Sequence, residues 1–153
     1  MGSTNSITVD DSHWPLLVAR IVGPPSLQEQ QAYFAQVLGH LRREERCVGI
    51  LDTRRMQMTT PEHRKRLAEF TREHHALIRT QLLGCGILIT SPMLRLATSV
   101  VLHISPLPVP YFITATLPEA AKWAARCLEG VGQRLAAERI RYHYAPPMER
   151  HVG

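Results

Sequence analysis

Apolar runs of strand length alternate with stretches of helical periodicity along most of the chain, and that alternation limits the fold more than any single motif does. WPLLVARIVG, residues 14–23, is apolar and β-branched, and GPP ends it. In SLQEQQAYFAQVLGHLRREER, Ser26 and Glu29 have capping-box spacing. Leu27, Tyr33, Phe34, Val37, Leu38 and Leu41 then recur at three- and four-residue intervals, which predicts one apolar stripe. Arg42, Arg43 and Arg46 gather where cations suit the helix dipole. CVGIL, residues 47–51, is a continuous apolar run, as in a strand covered on both faces. PEHRKRLAEFTREHHALIRTQLL predicts one helix with Leu67, Phe70, His74, Leu77 and Ile78 turned inward. GCGILIT, residues 84–90, is a further buried strand. Ser91 and Pro92 then open a helix over 92–104 that is apolar nearly all round. The prolines of PLPVPYFITA confine that strand to an edge or entry position. TLPEAAKWAARCLEGVGQRL closes the pattern, with capping-box spacing at Thr116 and Glu119. Ala120, Trp123, Ala124, Cys127 and Leu128 form its stripe.

This order predicts a single α/β domain with a mixed, mostly parallel sheet of four to five strands and about four helices. Residues 1–12 are expected to be a flexible leader or a short first strand, ITVDD. Residues 13–138 form the domain, and 139–153 a loosely held, proline-interrupted tail. The 153 residues, 44% of them hydrophobic, suit one core. No run of eighteen apolar residues is present, so no membrane span is expected, and the first residues lack the pattern of a secretory signal. Gly2 and Ser6 match the short myristoylation pattern, against a disordered leader or cloning scar. Cys47, Cys85 and Cys127 are scattered and odd in number, which points to free thiols in a reducing cytoplasm and not to a disulfide framework or a thiolate zinc site.

Three features together resemble a STAS domain, the fold of anti-sigma-factor antagonists, and in particular the branch related to lipid-binding CRAL-TRIO domains and found in small bacterial proteins. LLVARIVG ends at Gly23 and leads into the helix from Ser26. GILD ends a run in Asp52. The last strand is followed by Glu119, Ala120 and Trp123 in an EA-x-x-W pattern. The likeness spans roughly residues 5 to 135. It implies a STAS-like, non-enzymatic regulatory module that binds a protein partner, without a cofactor. One departure matters: the phosphorylated D-S-S-G stretch of the antagonists is replaced by RRMQMTTPEH, with Thr59 and Thr60 in the comparable place.

GILDTRRMQMTTPEHRKR holds the candidate site. Asp52 is expected at the carboxyl end of a buried strand, where open α/β sheets bind ligands. Arg54 and Arg55 follow in a loop and could grip an anion in bidentate fashion. Thr60 before Pro61 is the natural N-cap, with the helix amides behind it. Asp52, Arg54, Arg55, Thr59 and Thr60 are therefore the candidates for contact with a partner or an anion, and Thr59 and Thr60 for phosphorylation. The plainer reading is a capped helix with Asp52 paired to one arginine.

Eight histidines invite a metal hypothesis, but His74 and His75 diverge on a helix, His63 lies too far from His74 to share an ion, and HExxH is absent. His74 is expected at the edge of the core, and His103 at a helix end that suits a cation. Cys47 and Cys85 are expected at strand entrances. GxSxG, GxGxxG and GxxxxGK[ST] are also missing. The net charge of +5 permits an acidic partner, yet the basic residues are interleaved with acids and no aromatic platform accompanies them, which argues against nucleic acid. The all-apolar 92–104 helix suggests a homodimer face, unless the leader or tail covers it. The alternative to a protein-interaction module is a binder of a small anionic or lipid-like ligand in an apolar pocket, with Arg54, Arg55 or Arg95 at its mouth.

Overall fold

The computed structural model describes residues 6–57 and 59–145. Gly2 and the chain after residue 145 fall outside them, and with these the acylation reading and the end of the expected tail. β1 (Ile7–His13) turns back antiparallel onto β2 (Leu16–Gly23). β3 (Cys47–Met56), β4 (Leu82–Leu88) and β5 (Tyr111–Thr114) then add in parallel, giving one sheet in the order β1-β2-β3-β4-β5. α1 (Leu27–Leu41), α2 (Pro61–Glu73), α3 (His75–Gln81) and α4 (Pro92–Ile104) lie in the crossovers, and α5 (Leu117–Glu129) and α6 (Arg134–Tyr144) follow β5. The chain is thus a single α/β domain with a five-stranded, mostly parallel sheet and, among the described residues, six helices.

Strand alternation assigns the two faces. Leu16, Val18, Val48, Ile50 and Leu88 pack under α5 and α6. Leu17 and Cys47 pack with Leu41 of α1 and Ile78 of α3, while Ile87 and Ile89 meet Leu94 and Leu102 of α4. The face under α5 is built from small residues. Ala120, Ala121, Ala124 and Ala125 are buried, and β4 offers Gly84 and Gly86 opposite them. A Cβ at Gly84 would stand 2.6 Å from the Trp123 ring and 3.0 Å from the Pro110 carbonyl. The tryptophan of the EA-x-x-W pattern therefore sits where only glycine leaves room, its ring stacked on Phe112 at 5.8 Å.

Several boundaries differ from those read in the sequence. β3 runs to Met56, because β2 stays beside it as far as the Gly23–Met56 pair, so Arg54 and Arg55 are strand residues and not loop residues. The expected single helix after Pro61 breaks at His74 into α2 and α3, and Leu82 and Leu83 already belong to β4. The tail expected from residue 139 is helical as far as Tyr144: Ala136, Ala137 and Ile140 lock α6 into the core, and Arg141 pairs with Glu129 at 2.6 Å. These helices raise the expected four to six. Ser26 and Glu29 form the full capping box, whereas Thr116 caps Glu119 without a reciprocal bond. β5 is an edge strand, as its prolines require.

Gly84→Val should cost about 1–3 kcal/mol through forced displacement of Trp123 and the Pro110 carbonyl. At about 2–4 °C per kcal/mol for a chain of this size, thermal denaturation should show a fall of several degrees. An unchanged midpoint would refute the close approach.

Candidate functional site

The five candidate residues do not form one site. Asp52 stands in β3, the central strand, and is buried. Its carboxylate accepts from Arg54 Nε at 2.9 Å, from Arg54 Nη2 at 2.8 Å and from the Arg54 backbone N–H at 3.1 Å. The side-chain hydrogen bond from Arg54 is the main reason that the carboxyl lies below its ordinary range, burial acting in the opposite sense. Arg20 is the register partner of Asp52 on β2 and lies 4.0 Å from Asp10 on β1. Beyond this point the register slips: Arg20 pairs with Asp52, but Val22 pairs with Arg55, so β3 carries one extra residue. A bulge of this kind re-aims side chains. Here it brings Arg55 to the face of Arg20 and Asp52, and Arg20, Arg54 and Arg55 line one open depression of about 480 Å³ with Asp52. Arg20 belongs to this group although sequence spacing did not connect it. Its signal is register, which no single segment carries.

Thr59 and Thr60 belong elsewhere. Thr60 is the N-cap of α2, and the third helical residue, His63, takes the role usually given to Glu. Thr60 Oγ1 lies 2.7 Å from His63 Nδ1, and His63 Nε2 lies 2.7 Å from the Pro25 carbonyl. The carbonyl only accepts, so Nε2 carries the proton, and Nδ1 accepts from the Thr60 backbone N–H at 3.3 Å. Gln30 of α1 donates to the His63 carbonyl at 2.9 Å. Gln30 and His63 thus fasten the start of α1 to the start of α2. A phosphate on Thr60 would have to displace the His63 ring from its cap.

Behind this latch lies a cavity of about 310 Å³ between the sheet and the crossover helices. Its walls are apolar, with Phe34 of α1, Phe70 of α2, Ile87 of β4 and Val101 of α4 among them. Tyr33 and Cys85 face it as well. Cys85 was expected at a strand entrance, but β4 begins at Leu82, so Cys85 sits inside the strand and its side chain joins the cavity wall. Burial pushes the Cys85 thiol up to about 12 and the Cys47 thiol up to about 11, so both are held as neutral thiols. The cation on the wall is Arg64, whose Nη1 donates to the Thr59 carbonyl at 2.8 Å. Arg54 and Arg55 lie across the sheet, and Arg95 is not part of the lining, so the expected mouth residues are replaced by Arg64. His74 stands at the core edge, its ring 5.0 Å from Phe70. Among the described residues no group of three or more His, Cys, Asp or Glu could hold a metal ion, and no helix is long and apolar enough to cross a membrane.

The architecture has a counterpart among solved structures. An uncharacterized protein of the DUF3478 family from Shewanella loihica PV-4, described as having a SpoIIAA-like fold, superposes with a TM-score of 0.60 at 14% identity, covering 81% of this chain and 98% of that one. The fold is SpoIIAA-like. The STAS-like architecture inferred from LLVARIVG, GILD and the EA-x-x-W pattern therefore holds for most of the chain. At this identity the likeness concerns the fold. No family model matches the chain, and no curated protein matches it.

A folded-state carboxyl held low contributes stability that is complete above its unfolded value, near 4, and is lost as pH falls through the folded value. Asp52→Asn should therefore reduce stability at neutral pH and make the remaining stability less sensitive to acid below about pH 4. Urea unfolding of both proteins across that range measures it. Parallel acid profiles would show that the Asp52–Arg54 pair does not matter.

Proposed function

We propose that the protein is a non-enzymatic, STAS-like regulatory module that binds a small lipid-like ligand between its sheet and its crossover helices. The observation that supports this reading is the 310 Å³ cavity, which lies in the size range of small-molecule sites and has almost wholly apolar walls. A packed core would leave no such space. The neutral state of the Cys85 thiol speaks against a thiolate nucleophile in this pocket. Three free cysteines suit a reducing cytoplasm as the place of work.

Ala97→Trp, on the α4 wall, would fill the space. Native mass spectrometry and solvent extraction of the purified wild type should recover an apolar small molecule, and the variant should lose it with its helix content retained. A wild-type protein that carries nothing and binds no apolar fluorophore would end this reading.

A second reading concerns partners, and α4 supports it. Leu94 and Leu102 point into the protein, while Met93, Leu96, Val100 and Ile104 are 74, 67, 49 and 77% exposed. Four apolar residues over three turns make a stripe that an antiparallel copy of itself would match, and such isologous contacts close into dimers. Because α4 also walls the cavity, occupancy and association would act on the same helix. The depression of Asp52, Arg54, Arg55 and Arg20 is proposed as the contact for an acidic group of a protein partner, with Arg20 and Arg55 as its cations. Light scattering over a concentration series should show a dimer for the wild type and a monomer for Val100→Glu. A monomer at every concentration would exclude the α4 contact.

A further inference from the structure

Tyr33 is an unusual wall residue. It lines the cavity from α1, beside Phe34, which stacks on Phe70 at 4.3 Å. Among the described residues its hydroxyl has no hydrogen-bond partner, and it keeps accessible surface, unlike the fully buried, unpaired Oε1 of Gln30 on the same wall. Tyr33 is only half-buried by area. Its phenol is nevertheless pushed strongly upward, first by burial and then by the neighbouring Cys85. Cys85 shows the same combination of accessible area and strong burial. Both observations agree if the area that these residues expose faces the cavity and not bulk water. The phenol is then a neutral donor aimed into an apolar chamber.

The charges on the wall narrow the ligand further. No Asp, Glu or Lys lines the cavity, and the one arginine, Arg64, is exposed and already donates to Thr59. Both His63 ring nitrogens are engaged, with Thr60 and with Pro25. A carboxylate beside Tyr33 would be desolvated with no cation to meet it, and an ammonium with no anion. An uncharged oxygen that accepts from the phenol carries neither cost. We propose that the cavity selects an apolar molecule bearing one uncharged, hydrogen-bond-accepting oxygen, and that Tyr33 is the residue that specifies it. The inference rests on the ligand-binding reading above and adds the chemical class.

The test compares ligands of similar length within each protein. Methyl heptyl ketone, chlorooctane and nonanoate are titrated against the bound neutral fluorophore N-phenyl-naphthylamine, in the wild type and in Tyr33→Phe, with unfolding midpoints to show that both are folded. The wild type should prefer the ketone to chlorooctane by roughly fivefold, as one neutral hydrogen bond allows. Tyr33→Phe should abolish that ratio. A ketone preference that survives in Tyr33→Phe overturns the assignment. So does tighter binding of nonanoate than of the ketone, lost in Arg64→Ala, which would place an anionic head at the mouth. A fluorophore that never binds the wild type removes the ligand-binding reading itself, whereas fluorophore binding without any ketone advantage removes only the role of Tyr33.

Discussion

The strands are laid down in order across the sheet, and from β2 onward each runs parallel to the last. Parallel neighbours need a crossover, and crossovers of one hand taken in one direction all return over the same face. α1, the α2–α3 pair and α4 are therefore committed to one side. Only the chain after β5 can cover the other, and α5 and α6 do so. The two layers differ in kind. Under α5, glycine and alanine bring helix and sheet into close contact. On the crossover side, the large side chains of α1, α2 and α4 meet the sheet around the cavity.

The same topology sets the position of Asp52. In the central strand it has neighbours on both sides, so its carboxylate is buried and depends on Arg54 for its charge balance. The bulge just beyond it gathers arginines on the α5 side of the sheet while Thr53 turns to the cavity, its hydroxyl donating to the Leu88 carbonyl at 2.7 Å. A short stretch of β3 thus supplies wall residues to two unlike places, one charged, the other apolar.

Much of this was legible from residue order. Buried apolar runs, capping signals and prolines located the elements, because each rests on local chemistry. What escaped the sequence depended on partners distant along the chain. GILD read as the end of a strand because the polar residues after it resemble a loop, and only the length of β2 shows that pairing continues. The end of α6 read as a tail because RYHYAPPMERHVG is polar and proline-interrupted, yet Ala136, Ala137 and Ile140 suffice to anchor the helix. The capping role of His63 escaped notice because a capping box is recognised by an acid in the third place, and here the distant Pro25 carbonyl holds the far nitrogen of the ring. The cavity is an absence of atoms between elements, and no stretch of sequence records it.

The latch between Gln30, His63, Thr60 and Pro25 gives the crossover layer a hinge side and a free side. Two helix starts are pinned to each other like panels sharing a jamb, whereas α4 is held to the sheet by aliphatic contacts such as Leu94 and Leu102 against Ile87 and Ile89. Grease yields where hydrogen bonds resist. Any swelling of the chamber to admit a guest would thus displace α4 more readily than α1 or α2.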